Sequence, residues 1–512
     1  MPHSTSYILH STLKCKFYIL HFTFYILLAF AMMSCTKSTS PKTGSLSGRV
    51  ILVNDTDDPS LDPVDFSGVT VALYELAVLD TTIVRINQEY PQIGVQISQE
   101  TEFDHRLQYP VKVVTSNTEG DFQFDQVPYG EYNVALYKQG WGFRYLYTQS
   151  ITEGQNTLML SRGLTIPELY PERRIAGAID TGFTFLSDRL YIAEDDVNIL
   201  PTAHVIVEPY STLCIAPGKK FYSYGLMDTS TLDDSEYFKV IAMQTEGIHY
   251  GDKRFGSIEI LCTNEIDNCD VSNIIVKGSI EGIRVNGTIS LIKNCIIESS
   301  QSSLSVNAVD NINLEKILIR SDPDSSEHVV NITNSENVYV YGLIVLNVEQ
   351  GVLVQNSSYV SIERSMFHKI GVGILNQLDG ESLISFNTFE DNGVAVRNAN
   401  RASCVITNNT ISAVNAIRNE KTLPTHTADG WTEFIAEGNN FYCTSYAVVN
   451  KMSFTGYDLY ELNAKNNYWG TSSQLEIAEL IYDHYSHTQS NGIVQYLPFR
   501  SNHNHNSGIN GK

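Results

Sequence analysis

The chain has 512 residues, with 57 acidic residues against 34 Lys and Arg and a formal net charge of −23. Its length exceeds one ordinary core, so we expect several domains or a repeat array, and 42% hydrophobic residues exclude a disordered acidic polymer. The acidic balance excludes nucleic acid as a partner, because few cations are available to neutralise phosphates.

Residues 1–34 differ from the rest of the chain. Lys14 and Lys16 precede a mostly apolar run over 17–33, and Cys35 follows directly after Ser34. A short basic region, an apolar region and a small residue before the cut are typical of a secretory signal. The alternative is a membrane-spanning helix, for which the run is marginally long enough.

With Cys35 after the cut, this segment resembles a bacterial lipoprotein signal. The resemblance implies that Cys35 becomes the acylated N-terminus, that residues 35–44 form a polar tether, and that a lipid bilayer is a partner. We therefore expect a lipid-anchored protein of the cell envelope, in the outer membrane and facing either the periplasm or the surface.

Six cysteines follow Cys35, and none of their spacings is typical of a zinc site. Cys262 and Cys269 flank a short polar loop, which is compatible with a small disulfide or with two unrelated thiols. The remaining four lie singly in apolar runs and are expected to be buried structural thiols: Cys214, Cys295, Cys404 and Cys443.

Residues 45–160 alternate between apolar and polar residues with period two, which predicts a β-sandwich. The pattern is clearest at Phe122 and Phe124, which precede the turn residues 128–130, and at Tyr132 and Val134, which follow them. Because Pro and Gly favour turn dihedrals, this stretch predicts a hairpin.

These motifs resemble the carboxypeptidase regulatory-like (transthyretin-like) domain, an Ig-like sandwich. The resemblance covers about 115 residues and implies a non-catalytic stalk or binding module. The long segment 75–109 departs from the family pattern and is expected to decorate one end. Residues 161–189 are assigned to a linker or N-terminal cap.

Residues 190–470 form a repeat array with a unit of about 22 residues. A recurring apolar pair has its second member at Val285, Val306, Ile332, Val354, Ile374 and Val396. A second series consists of short apolar segments that each begin with an asparagine: Asn294, Asn387, Asn409, Asn439 and Asn466. The strands resemble those of right-handed parallel β-helices, in which Asn pairs between stacked coils. A leucine-rich repeat has a similar period, but its leucine consensus is absent.

The last part of the chain predicts a small helix–strand cap over 471–500. Ser473 and Glu476 form a capping-box pattern, and 492–499 reads as a final strand. The arrangement resembles the terminal element of many bacterial right-handed β-helix proteins, where it covers the open end of the solenoid. The tail 501–512 is expected to be disordered.

Two insertions carry the only compact groups of chemically active side chains. Asp322, Asp324 and Glu327 offer oxygen ligands that suit calcium, although a solvated turn explains them equally well. His426, Asp429 and Trp431 lie on a polar insertion, where Trp431 could stack on a sugar ring or fold back onto the solenoid wall. Apart from this possible calcium site, the sequence indicates no catalytic residues, cofactor or metal site.

The sequence predicts an all-β protein: an Ig/transthyretin-like sandwich, then a right-handed parallel β-helix, then the cap. We expect a non-catalytic, monomeric envelope lipoprotein that presents a face to a polysaccharide or a cell-surface protein. A polysaccharide lyase or glycoside hydrolase of the β-helix type is the first alternative, because such enzymes share the fold. An adhesin or structural spacer is the second. The negative charge favours a neutral glycan over an acidic one.

Overall fold

The computed structural model describes residues 41–160, 166–262, 270–321, 328–420, 434–452 and 459–511. The protein is all-β, with 51% strand and 6% helix, and a β-solenoid of about 11 turns follows an N-terminal sheet region. The fold class predicted from the sequence is confirmed. No helix within these ranges is long and apolar enough to cross a membrane.

The N-terminal region contains nine strands in two main sheets. They are β1 Thr43–Arg49, β2 Ile51–Leu52, β3 Thr70–Glu75, β4 Lys112–Thr115, β5 Asp121–Pro128, β6 Gly130–Tyr137, β7 Phe143–Ile151, β8 Gln155–Thr157 and β9 Glu168–Leu169. One sheet has the order β5-β1-β8, the other has the order β4-β3-β6-β7, and β2 pairs with β9.

The predicted hairpin at 128–130 is wrong. Strand β5 pairs with β1, whereas β6 pairs with β3 and β7, so the turn carries the chain from one sheet to the other. Phe124 and Val134 nevertheless share one core, because they face each other from opposite sheets. The alternation predicted the buried faces correctly, but alternation alone does not reveal which strands pair.

Segment 75–109 contains two short helices and a 3₁₀ turn. Helix α1 spans Thr81–Glu89, α2 spans Gln99–Glu102, and the 3₁₀ turn spans His105–Leu107. Asp80 caps α1 by accepting hydrogen bonds from the amides of Thr82 and Ile83. Other 3₁₀ turns lie at Pro59–Leu61 and Gly251–Lys253.

The solenoid is built from short parallel strands. They are β10 Arg173–Ile179, β11 Phe183–Phe185, β12 Leu190–Ile199, β13 His204–Val207, β14 Thr212–Ile215, β15 Phe221–Ser223, β16 Leu226–Asp228, β17 Phe238–Ala242, β18 Ile258–Ile260, β19 Asp270–Ser272, β20 Ile274–Ser279, β21 Ile283–Val285, β22 Leu291–Ser299, β23 Leu304–Asn307, β24 Asp310–Ser321, β25 His328–Thr333, β26 Glu336–Tyr341, β27 Ile344–Leu346, β28 Gln350–Gln355, β29 Val360–Glu363, β30 Met366–His368, β31 Val372–Gln377, β32 Glu381–Ser385, β33 Thr388–Ala399, β34 Ser403–Thr407, β35 Thr410–Glu420, β36 Phe434–Glu437, β37 Asn440–Cys443, β38 Val448–Lys451, β39 Tyr460–Asn463, β40 Ile481–Tyr482 and β41 Gly492–Gln495.

Each coil contributes one strand to each of three walls. Sheet 1 contains β19, the first halves of β22 and β24, then β26, β29, β32, β34, β36, β39 and β41. Sheet 2 contains the first halves of β10 and β12, then β14, β17, β20, the second halves of β22 and β24, β27, β30, the first halves of β33 and β35, and β37. Sheet 3 runs through β15, β18, β21, β23, β25, β28 and β31 to β38 and β40.

The corner between sheets 1 and 2 explains the recurring asparagines. One residue per coil there has a left-handed backbone, as at Asn294 (φ 54°) and Asn408 (φ 56°), a conformation that Asn tolerates better than most residues. The residue after it points inward, and in four successive coils it is an asparagine whose Nδ2 donates to the Oδ1 of the next at 3.0 Å: Asn387, Asn409, Asn439 and Asn467. We call these four the asparagine ladder.

Two details of the predicted repeat are wrong. The ladder ends at Asn467, not Asn466, because Asn466 occupies the left-handed corner position. The predicted series places Ile374 in the position of Val354 on the next coil. In the structure, Val354 aligns with Asn376, and Ile374 aligns with Val352. A slip of two residues keeps a side chain on the same face of a strand, so alternation does not detect it. Asn376 begins a second buried series that continues through Asn398 and Asn419.

The C-terminal cap is present. Helix α3 spans Gln474–Glu479, its N-cap Ser473 accepts a hydrogen bond from the amide of Glu476, and Ile477 is buried. The expectation of a disordered tail is wrong for the described residues up to 511. Asn504 exchanges hydrogen bonds with Asn440 of sheet 2, and Ile509 is only 1% exposed. Amide side chains and one buried isoleucine hold this polar segment in place.

Candidate functional site

The outer face of sheet 2 is covered by segment 75–109. A column of apolar side chains runs outward along this sheet, one per coil: Ile275, Ile296, Leu318, Ile344 and Met366. Ile83, Ile86, Ile93 and Val95 pack onto the column in one buried cluster. Gly94 donates its amide to the carbonyl of Gly342 at 2.7 Å, in a contact so close that a Cβ on Gly94 would lie 2.2 Å from Ile344. The segment therefore joins the sandwich to the solenoid.

Ion pairs border this apolar contact. Glu102 of α2 accepts from both Nη atoms of Arg320, and Lys277 lies 3.6 Å from the same carboxylate. Burial raises the pKa of Glu102, but Lys277 and Arg320 outweigh it and lower that pKa to about 2. At the other end, Arg85 pairs with Glu390 at 2.6 Å. These charges are committed to holding the domains together.

A third ion pair, largely buried, lies deeper in the same contact. Arg106 binds Asp104 through Nε and Nη2 and donates from Nη1 to the carbonyl of Ala242 at 2.6 Å. His105 lies beside them, 2.8 Å from the hydroxyl of Tyr145, and burial lowers its pKa to about 4. The neutral imidazole is therefore part of an aromatic seam with Tyr137 and Phe143.

The outer face of sheet 1 faces solvent instead. One outward column along it contains Asn313, Tyr339, Ser361, Leu383 and Val405. A parallel column, two residues further along each strand, contains Lys293, Glu315, Tyr341 and Glu363. Asn313 and Leu383 are exposed, and the side chains between them are half-buried. We call these two columns the sheet 1 face.

Two tyrosines form a flat platform in the centre of the sheet 1 face. The rings of Tyr339 and Tyr341 have centroids 6.1 Å apart and planes inclined by 23°. Burial, followed by the nearby Glu363 carboxylate, raises the pKa of Tyr339 to about 12, so this phenol stays neutral and can donate a hydrogen bond. Such a pair presents both an aromatic surface and two hydroxyl groups to a ligand.

Carboxylates lie on both sides of Tyr341. Glu315 is opposite Tyr341 on the preceding coil, and Glu363 is opposite it on the following coil. Glu363 also accepts a hydrogen bond from the hydroxyl of Ser361 at 2.9 Å, which orients it. Because neighbouring strands lie about 4.8 Å apart, the two glutamates are about 10 Å apart along the solenoid. Acidic acceptors therefore lie beside the aromatic platform and point to the same side of the sheet.

Most of the site residues predicted from the sequence lie outside the described ranges. These are Cys35, Cys269, the calcium candidates Asp322, Asp324 and Glu327, and the loop residues His426, Asp429 and Trp431. Those predictions, including the Cys262–Cys269 disulfide, stay predictions. Cys262 itself is buried, and its thiol donates to the carbonyl of Gly225 at 3.6 Å. Among the described residues, no group of three or more His, Cys, Asp or Glu could hold a metal ion.

The sequence reasoning missed the sheet 1 face. The run Val338-Tyr-Val-Tyr341 alternates, and once its valines are assigned to the core the two tyrosines must point outward. The signal was available in one strand, but its neighbours Glu315 and Glu363 become visible only when successive coils are aligned in register.

No protein-family model matches the chain. Searches of curated proteins and of solved structures also found no match. The class that the coordinates define is a β-solenoid protein with an N-terminal sheet region.

Proposed function

We propose that this protein is a non-catalytic scaffold of the cell envelope, anchored through acylated Cys35, whose sheet 1 face binds an extended glycan. The observation that carries the glycan proposal is the pair of nearly parallel rings of Tyr339 and Tyr341 on a solvent-facing sheet. The anchor rests on the sequence pattern around Cys35 alone.

The sheet 1 face offers the two kinds of contact that a sugar chain needs. The tyrosine rings supply apolar area for the C–H faces of sugar rings, at low entropic cost because each side chain has few rotatable bonds. Asn313, Ser361 and the Glu363 carboxylate supply polar partners for hydroxyl groups. Glu315 and Glu363 would repel a uronate at this position, so a neutral glycan fits this face better.

The scaffold role has further support in the contact between the domains. Segment 75–109 packs its isoleucines against sheet 2 and adds the Glu102–Arg320 ion pair, so the sandwich is docked rather than loosely tethered. A docked sandwich holds sheet 1 in a constant orientation relative to the anchor end of the chain. Such an arrangement suits presentation of a binding face away from a membrane.

The sharpest test compares matched tyrosine variants of the full-length protein on a glycan array, followed by calorimetry with the best neutral oligosaccharide. Removing an aromatic stacking partner costs about 1–2 kcal/mol, so Y339A and Y341A should each weaken binding about tenfold. Y222A is the control, because Tyr222 and Tyr224 form a similar pair on sheet 3. Unchanged affinity in Y339A and Y341A, or equal loss in Y222A, would refute the proposal.

Glycoside hydrolysis is the second candidate, and the positions of Glu315 and Glu363 favour it. Inverting glycosidases use two carboxyl groups on either side of the scissile bond, and Glu315 and Glu363 lie on either side of Tyr341 on one face. If the protein is such an enzyme, incubation with the bound oligosaccharide should release new reducing ends, and E315Q and E363Q should abolish their release. Binding without any release of reducing ends supports the scaffold instead.

A further inference from the structure

A second feature lies on a different wall, on the outer face of sheet 3. Arg397 and Arg418 are directly opposite each other on adjacent coils, and both side chains point outward. Their side chains are 34% and 38% exposed. The preceding positions of the same column are Leu353 and Leu375, and the following one is Val449. Two arginines therefore stand together between apolar neighbours of the same column.

One buried carboxylate orients both guanidinium groups. Arg397 approaches Oε1 of Glu420 through Nε at 2.7 Å and Nη2 at 2.5 Å, and Arg418 donates from Nε to Oε2 at 2.7 Å. The Glu420 side chain is only 6% exposed. The Nη1 atoms of both arginines take no part in these contacts. Glu420 thus orients two partly exposed guanidinium groups and leaves the Nη1 donor of each out of its own contacts.

Among the described residues of this group, the charges do not balance. Lys451 occupies the rung next to Glu420 and is exposed, so three cations and one carboxylate lie on neighbouring rungs. On sheet 2 the corresponding column alternates in sign from Lys277 to Glu298 to Arg320, which avoids repulsion between coils. Like charges directly opposite each other in a sheet are destabilising. The Arg397–Arg418 pair therefore carries an electrostatic cost that its protein contacts offset only in part.

We propose that Arg397 and Arg418 form a binding site for an oxyanion: the carboxylate of an acidic sugar or a sulfate ester. A guanidinium fork matches the planar geometry of a carboxylate and the oxygens of a sulfate, and such charged hydrogen bonds are stronger than neutral ones. The chain carries a net charge of −23, so this local excess of cations gives the anion a defined place to bind. The site lies on sheet 3, and its existence does not depend on glycan binding at the sheet 1 face.

Calorimetry on the full-length protein at low ionic strength tests the site with three probes: trigalacturonate, inorganic sulfate and the neutral sugar maltotriose. We expect trigalacturonate or sulfate to bind and maltotriose not to compete with either. R397Q and R418Q should each weaken binding about tenfold, because each removes one charged hydrogen-bonding group. Binding of trigalacturonate alone identifies the ligand as a carboxylate, and displacement by sulfate identifies a general oxyanion site.

Two further variants distinguish a built site from general attraction. Arg284 lies in the same outer column and forms an ion pair with Glu281 at 2.8 Å. It is not beside Arg397 or Arg418, so R284Q should leave binding unchanged. E420Q removes a negative charge, so simple attraction predicts tighter binding, whereas loss of the fixed forks predicts weaker binding. We expect E420Q to bind trigalacturonate more weakly than the unsubstituted protein does. Absence of binding by both anions, or equal losses in R284Q, would overturn the proposal.

Discussion

Glu102 and Arg320 lie 218 positions apart in the chain and form a two-pronged ion pair, with Nη1 to Oε2 at 2.8 Å and Nη2 to Oε1 at 3.0 Å. The carboxylate belongs to the inserted segment of the sandwich and the guanidinium to sheet 2 of the solenoid. Lys277 lies on the other side of the carboxylate, 3.6 Å away. This contact joins the two parts of the molecule by charge.

Replacing Glu102 with Gln should destabilise the protein by about 3 kcal/mol, because two largely buried cations lose their counter-charge. Equilibrium unfolding in urea, followed by circular dichroism, measures the loss. E381Q serves as the control, since Glu381 is exposed at the start of β32. An E102Q variant as stable as E381Q would show that the ion pair contributes nothing to domain docking.

Acid should weaken the contact through Glu102 and Glu390. Each has a folded-state pKa of about 2 against an ordinary value of 4.5: Lys277 and Arg320 outweigh burial at Glu102, and the hydrogen bond from His368 is the main cause at Glu390. A lowered pKa stabilises the folded state above pH 4.5, and this stabilisation is lost as the pH falls towards 2. Unfolding free energies measured at pH 7, 4 and 3 should fall in that order. The slope should be shallower in the E102Q/E390Q double variant.

The asparagine ladder should be intolerant of substitution at its centre. Asn409 donates to Asn439 and accepts from Asn387, and its Nδ2 also reaches the carbonyl of Ile384. Because N409A leaves several buried polar groups unpaired, we expect a loss of about 3 kcal/mol. N313A, at an exposed position on sheet 1, should cost less than about 0.5 kcal/mol. Thermal denaturation of both variants provides the comparison.

Ile509 should contribute to stability despite lying three residues from the end of the chain. It is 1% exposed and packs in one cluster with Ile83 and Met366. Truncation of a buried isoleucine typically costs 2–5 kcal/mol, and we expect I509A to cost about 2 kcal/mol because the tail can partly collapse. L475A is the control, since Leu475 is 82% exposed. A disordered tail would instead make I509A neutral.

Three solenoid thiols should resist modification in the native protein. Burial raises the pKa of Cys214 to about 11 and that of Cys295 and Cys404 to about 12, so little thiolate forms near neutral pH. A short maleimide pulse at pH 8, followed by peptide mapping, should leave these three unlabelled. The same pulse in 6 M guanidinium should label all of them. Rapid native labelling of any one would show that its coil opens readily.

Sequence patterns predicted the solenoid because stacking forces each coil to repeat its inward residues. Val306, Ile332 and Val354 occupy the same inward position, as their spacing indicated. The same reasoning could not detect that Asn376 takes this inward position on the next coil. A search for recurring apolar residues does not find a buried amide. Buried amides become favourable only when a neighbour such as Asn398 satisfies them.

The cover over sheet 2 could not be predicted, for a different reason. Ile83 and Ile86 identify α1 as amphipathic, but they do not reveal which apolar surface the helix meets. The surface it meets is the column from Ile275 to Met366, which is far from the helix along the chain. The same holds for the sheet 1 face, where Tyr341, Glu315 and Glu363 meet only through the stacking of three coils.

The inserted segment 75–109 and the C-terminal tail both rest on sheet 2, where Gln92 donates to Asn510 at 3.1 Å. Solenoids usually behave as one-dimensional stacks whose terminal coils fray independently of the middle. Here the inserted segment and the tail pack onto the middle coils and contact each other there. This shared cover ties several coils together, which favours a single, cooperative unfolding transition over stepwise loss of coils.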